Sequence, residues 1–193
     1  MKNFKKIETI SPLSQDALTK ILNIFKDNNI ELVDQICLNT TADCPDDYML
    51  GRGSLQYDWD NATIKGNREQ YGVNEKPTKL EECDFTQLCS QFVGTEIERL
   101  YNYLTSHFKV GRVRVMRSLP MRCLSWHHDN TNRLHYPLKT QDGCFMVIED
   151  EIMHLEQDTW WWTNTTKFHT AFNGSKEDRI HLVVNLLKKD EEK

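Results

Sequence analysis

The sequence predicts a mainly β fold buttressed by N-terminal helices, and three observations carry that prediction. From Val110 onward apolar residues recur with a period of two in short runs: RVRVMRSL, RCLSWHH, RLHYPLKT, CFMVIED, EIMHLE, TWWWT, KFHTAFN and RIHLVVNLL. Runs of this length at close spacing are the pattern of an all-β sandwich or barrel. Two helical stripes precede them, so the helices pack outside the β core and do not cross between its strands. Finally, 193 residues with 38% hydrophobic and 27% charged side chains make one ordinary soluble domain. That composition excludes disorder, collagen and a disulfide-stapled miniprotein.

Taken in order, Ser11-Pro12 offers a cap followed by proline at a first helical position. Leu13, Ala17, Ile21, Leu22 and Phe25 then recur at helical spacing, which predicts a helix over 12–27. The apolar run Ile30–Leu38 reads as a strand. From Asn39 to Lys79 the chain is polar and punctuated by glycine, the composition of a lid or substrate loop. Thr95 caps a second helix whose stripe is Ile97, Leu100, Tyr101, Leu104 and Phe108. The expected organisation is one domain: residues 1–109 as a buttressing helical and loop segment, 110–188 as the β core, and 189–193 as a charged tail.

Twenty-four basic against 29 acidic residues give a net charge of −5, which argues against a non-specific grip on nucleic acid or anionic lipid. No apolar stretch is long enough to span a membrane, and the first residues lack the apolar stretch of a signal peptide, so a cytoplasmic protein is expected. The six cysteines contain no CxxC pair and read as reduced thiols.

The chemistry lies in three places. In Trp126-His127-His128-Asp129, strand alternation puts His127 and Asp129 on one face and His128 on the other. His169 sits in a later apolar strand. Two imidazoles and a carboxylate can occupy one face of an octahedral Fe(II) and leave the remaining positions open for oxidant and cosubstrate. Alone, an HxD also fits a surface pair, and a strand histidine also fits a hydrogen-bonded core residue. Arg179, ten residues beyond His169, opens an almost wholly apolar strand. A guanidinium aimed into a barrel needs a carboxylate, and none lies within that strand; a surface pairing with Asp178 is the alternative.

Together the HxD, the distal histidine and the following arginine resemble the 2-oxoglutarate-dependent Fe(II) dioxygenases. More narrowly, Arg112 to Leu187 resembles the aspartyl/asparaginyl β-hydroxylase family, on MRSLP leading into SWHHD, on RLHYPLKT, on TWWWT and on FHTAFNGSKEDRIHLVV. The resemblance implies a double-stranded β-helix (jelly-roll, cupin-like), with Fe(II) held by His127, Asp129 and His169 and with Arg179 binding the distal carboxylate of 2-oxoglutarate. It implies hydroxylation coupled to decarboxylation of 2-oxoglutarate by O2, yielding succinate and CO2. Vertebrate members have glycine in place of the metal carboxylate, and related halogenases also lack it. Retention of Asp129 therefore points to a bacterial-type hydroxylase of a free amino acid.

The alternatives are an aspartyl/asparaginyl hydroxylase of a peptide or protein and a non-catalytic cupin-type metal or ligand module. Expected partners are a small amino acid or peptide, with no nucleic acid and no membrane, in a monomer or dimer. Arg133 and His135 share a strand face and resemble residues that grip substrate or cosubstrate carboxylates; a structural salt bridge suits Arg133 equally. Arg112 and Arg114 read as a solvated face, and Trp126 as packing behind the ligand beside it. One strand face buries two of Trp160, Trp161 and Trp162 and the other exposes the third. His107, His154 and His181 have no partner legible in the sequence.

Overall fold

The period-two pattern after residue 110 resolves into eight strands: β5 (Val110–Ser118), β6 (Arg122–Cys123), β7 (Asn132–Lys139), β8 (Cys144–Ile148), β9 (Glu151–Met153), β10 (Trp160–Thr163), β11 (His169–Asn173) and β12 (Arg179–Leu186). The structure is a computed structural model that describes residues 2–55 and 80–188. Ahead of these strands lie β1 (Phe4–Ile7), α1 (Ala17–Asp27), β2 (Gln35–Cys37), β3 (Asn39–Thr40), β4 (Gln87–Leu88) and α2 (Glu96–His107). One sheet has the order β1-β10-β7-β12-β5-β2 and a second the order β6-β11-β8-β9. From β5 the chain passes from sheet to sheet at almost every step, which is the double-stranded β-helix, or jelly roll.

Alternation gives each strand of the larger sheet two faces. Val113, Val115, Leu134, Tyr136, Leu138, Ile180, Leu182 and Val184 pack in one buried cluster with Phe25 of α1 and Ile97 and Leu104 of α2. The opposite face carries Arg112, Arg114, Arg133, His135, His181 and Asn185, all buried. Trp161, also on that face, packs against Met146, Ile148 and Ala171 of the second sheet, so this polar face is the barrel interior. Arg112 and Arg114, expected on a solvated face, are 3% and 2% exposed. Alternation separates two faces but does not say what covers each, and here both are covered.

The N-terminal segment does more than buttress. β1 pairs with β10 and β2 pairs with β5, so residues before 110 supply both edges of the larger sheet. Helix α1 starts at Ala17, later than the spacing predicts, because the Ser11 carbonyl accepts from Trp160 Nε1 (3.2 Å) and the Leu13 N–H donates to the Tyr136 hydroxyl (3.0 Å). Those contacts hold residues 11–13 against the sheet, outside the helix. Helix α2 begins as expected: the Thr95 side chain accepts from the Ile97 N–H, and Ile97, Leu100, Tyr101 and Leu104 are buried.

The stretch expected as a lid divides. Residues 56–79 lie outside the described residues. Residues 39–41 are buried, and Asn39 donates to Phe85 O (2.8 Å) and Gly111 O (2.9 Å) while accepting from the Val113 N–H (2.7 Å). Gly51 is pressed so closely that a Cβ would lie 2.7 Å from both Cys37 Sγ and Phe85 Cε1. That loop is therefore fastened to β5. Trp160 and Trp161 are both buried although they occupy opposite faces, and Trp162 is partly buried, so neither face leaves an indole in solvent. The expected charged tail, 189–193, lies outside the described residues.

Candidate active site

β11 and the segment after β6 meet through a two-hydrogen-bond bridge: His127 N–H to His169 O (3.1 Å) and His169 N–H to His127 O (2.7 Å). The bridge sets the two imidazoles side by side, with centroids 4.3 Å apart. Asp129 is placed by its own N–H, which donates to Thr165 O (2.8 Å). The structure thus brings His127, Asp129 and His169 together, with one ligand atom of each within 4.8 Å of the others. His128 points out, edge-on to Phe168. Trp126, expected behind its neighbouring ligand, is 50% exposed, because the same alternation that sends His127 inward sends Trp126 outward.

The hydrogen bonds fix the tautomers. His127 Nδ1 is 2.6 Å from Ser125 O and His169 Nδ1 is 2.9 Å from Lys167 O. A carbonyl only accepts, so each Nδ1 carries the proton and each Nε2 keeps its lone pair. His169 Nε2 lies 3.3 Å from Asp129 Oδ2, a buried oxygen with no hydrogen bond among the described residues. Two acceptors facing each other at that distance repel unless a cation lies near both, so the donor set fits a divalent metal with imidazole and carboxylate ligands. The other oxygen, Asp129 Oδ1, pairs with Arg133 Nη2 at 2.6 Å. Burial pushes the Asp129 carboxyl up, but contact with His169 and the Arg133 charge outweigh it and hold the group below the usual carboxylate range.

Deeper in the barrel, Arg179 Nη2 donates to His181 Nδ1 (3.1 Å). His181 must then carry its proton on Nε2, and that buried atom has no acceptor among the described residues. His135, 5.7 Å from His181 between ring centroids, has neither ring nitrogen partnered among the described residues. Burial, reinforced by the Arg179 charge, pushes both imidazoles well below their ordinary value, so both are neutral near pH 7. Burial also brings Arg179 down to about 10. Among the described residues no carboxylate touches Arg179; Asp178 pairs instead with Arg117 (2.8 Å). Trp161, opposite His135 on β10, likewise leaves its buried Nε1 without a partner among the described residues. Uncommitted donors around one cation make a seat for an anion.

A second basic cluster lies towards the other end of the same face. Arg112 engages Glu82 through Nε and Nη2, the latter at 2.6 Å, and reaches Gly51 O (2.6 Å) and Gly53 O (2.8 Å) through Nη1. Among the described residues Arg114 donates to Gln35 Oε1 (3.0 Å), Asn185 Oδ1 (3.1 Å) and, distantly, Gly53 O (3.5 Å). Sequence reasoning missed His181, Glu82 and Asn185. His181 was within reach of it, since alternation puts it on the Arg179 face; Glu82 reaches Arg112 from a single 3-10 turn across 30 positions and left no local signal. Of the remaining histidines, His154 Nδ1 bonds Cys144 O (2.8 Å) and His107 Nδ1 bonds Tyr103 O (2.8 Å), both outside this site.

Comparison with known proteins places the chain in a family. The profile of the Aspartyl/Asparaginyl beta-hydroxylase family matches residues 29–189. The L-proline cis-4-hydroxylase of Rhizobium meliloti (strain 1021) is 28% identical over 106 residues, an alignment covering 48% of this chain and 38% of that protein. The chain therefore spans well under half the length of that relative. Among solved structures, a cupin domain from Bordetella pertussis matches with a TM-score of 0.37 at 13% identity, over 42% of this chain and 84% of its own. An oxidoreductase of the 2OG-Fe(II) oxygenase family from Burkholderia pseudomallei matches with a TM-score of 0.36 at 17% identity, over 40% of this chain and 43% of its own.

Proposed function

The chain belongs to the aspartyl/asparaginyl β-hydroxylase family, and from that premise we propose that it is an Fe(II)/2-oxoglutarate-dependent dioxygenase hydroxylating the side chain of a free amino acid. One observation carries the proposal: a cluster of His127, Asp129 and His169, half-buried apart from the buried His169, shares a barrel with an arginine, Arg179, that lacks a carboxylate partner among the described residues. Iron bound there supplies the chemistry that couples O2-dependent decarboxylation of 2-oxoglutarate, giving succinate and CO2, to insertion of a hydroxyl oxygen into a C–H bond.

The protein's part is placement. His127, Asp129 and His169 hold the metal, and the Nδ1 bonds to Ser125 O and Lys167 O stop the two rings from turning away. Arg133 takes one oxygen of Asp129 and leaves the other for the ion, the salt-bridge role that suited it as well as a substrate contact did. Arg179 and the Nε2 proton of His181 receive the distal carboxylate of 2-oxoglutarate, and His135 offers the next donor along the wall. Trp161, Met146, Ile148 and Ala171 keep bulk water from this part of the barrel.

No helix among the described residues is long and apolar enough to cross a membrane. A reducing, cytoplasmic setting is the compartment we assign, and six free cysteines suit it.

Purified protein given Fe(II), ascorbate and 2-oxoglutarate should release succinate, and one free amino acid from a panel should stimulate that release. Stimulation by peptides alone would move the substrate to a polypeptide. Bound iron without succinate under any condition would leave a cupin-type binding module. Replacing Arg133 by methionine should weaken Mn(II) binding by about 10–100-fold, the usual loss when a ligand's supporting partner is removed; titration calorimetry reads it directly.

A further inference from the structure

A buried amide joins the end of β11, the strand that carries His169, to the start of β12, the strand that carries Arg179. Asn173 is 1% exposed and lies on the same face of β11 as His169 and Ala171. Its Nδ2 donates to three carbonyls, Ser118 O (3.0 Å), Leu119 O (3.2 Å) and Glu177 O (2.7 Å). Its Oδ1 accepts from the Ser175 N–H (3.1 Å), the Ser175 hydroxyl (2.7 Å) and the Cys144 thiol (3.2 Å). Three carbonyls around one end and three donors around the other leave a single orientation for the amide.

These partners bracket Arg179. Ser118 stands opposite Arg179 in the β5–β12 register, and Glu177 precedes it by two residues. The turn between β11 and β12 is fastened again by Gln141 Nε2, which donates to Ser175 Oγ (2.6 Å) and Glu177 O (3.1 Å), and by the Gly174 N–H, which donates to Gly143 O (2.9 Å). The metal end has its own fastening, the backbone bridge between His127 and His169. Four residues of strand, roughly 13 Å, separate His169 from Asn173. The two ends of the site are thus held by different bonds, and the amide governs the arginine end. Hydrogen bonds are directional where apolar contacts are not, so this network fixes the point from which the Arg179 side chain starts.

We infer that Asn173 is a positioning residue that sets the span between the metal and Arg179, and with it the chain length of the 2-oxo acid the protein accepts. A 2-oxo acid held by the metal at one end and by a guanidinium at the other must match that span. A firmly seated arginine therefore rejects a diacid one methylene shorter or longer. Asn173 acts through Arg179, since the bonds of its own amide go to protein atoms. The assignment rests on the dioxygenase reading for the identity of the cosubstrate, but its test does not require turnover.

Anaerobic titration calorimetry with Mn(II) bound compares 2-oxoglutarate with oxaloacetate and 2-oxoadipate, one methylene shorter and one longer. The unaltered protein should prefer 2-oxoglutarate by at least about tenfold, what one methylene is worth in a fitted site. Asn173→Ala should keep its Mn(II) affinity, bind 2-oxoglutarate about 10–100-fold more weakly and lose most of that preference. Asn39→Ala empties an equally buried amide at the opposite end of β5, so it should lower the melting temperature and leave the preference intact. Ser175→Ala removes a smaller part of the network and should shift the preference the same way by less; it decides the matter should Asn173→Ala fail to fold. No preference in the unaltered protein, an undiminished preference in the folded variant, or an equal loss in Asn39→Ala would each overturn the assignment. Failure of the unaltered protein to bind any 2-oxo acid would sink the dioxygenase reading itself, and the assignment with it.

Discussion

Replacing Arg179 by alanine is expected to raise the KM for 2-oxoglutarate by about two to three orders of magnitude, the loss of roughly 3–4 kcal/mol of charge-assisted binding. The size follows from the surroundings. His181 Nε2 is the other uncommitted donor beside Arg179, and it is neutral, so nothing of equal charge takes the guanidinium's place. At saturating 2-oxoglutarate kcat should recover much of its value, because the contact holds cosubstrate and transition state alike. Lysine should rescue only in part, since a point charge does not reproduce the fork. Steady-state kinetics with 2-oxoglutarate as the varied reactant reads both parameters. An unchanged KM would mean that a different cation holds the distal carboxylate.

Replacing His169 by alanine is expected to weaken metal binding by at least about 100-fold and to bring turnover to background, since an open face with two ligands no longer holds the ion in place. The ring is 2% exposed and lies over His127 at 4.3 Å, so the variant also loses packing, and a thermal melt must accompany the metal titration. His169→Gln keeps most of the volume and separates the two effects. Metal affinity equal to that of the unaltered protein in a folded variant would remove His169 from the ligand set.

The local pattern reached furthest where the physics is local. Alternation sufficed to put His127 and Asp129 on one side and His128 on the other, and the Thr95 cap and the stripe of α2 came from spacing alone. It failed where the answer depends on what lies above a face. Arg112 and Arg114 share a strand with Val113 and Val115, and nothing in the run RVRV says that helices cover the valines while the Glu82 turn and the Gly51–Gly53 loop reach the arginines. Trp126 was misjudged for the same reason, as a large aromatic beside a ligand that nonetheless faces solvent. The start of α1 was set by two distant side chains, Trp160 and Tyr136, and the partner of Arg112 came from a turn far off in the chain. These contacts leave no periodic trace.

On the proposed reading, three ligands and one arginine form a single centre in which the metal completes the cosubstrate site. Anaerobic titration calorimetry on the full chain tests this most directly, adding Mn(II) first and 2-oxoglutarate second, and then repeating the second titration without metal. One ion per chain is predicted, with 2-oxoglutarate binding tightly only after it. Tight binding of 2-oxoglutarate that ignores the metal, or no stoichiometric ion at all, would contradict the account.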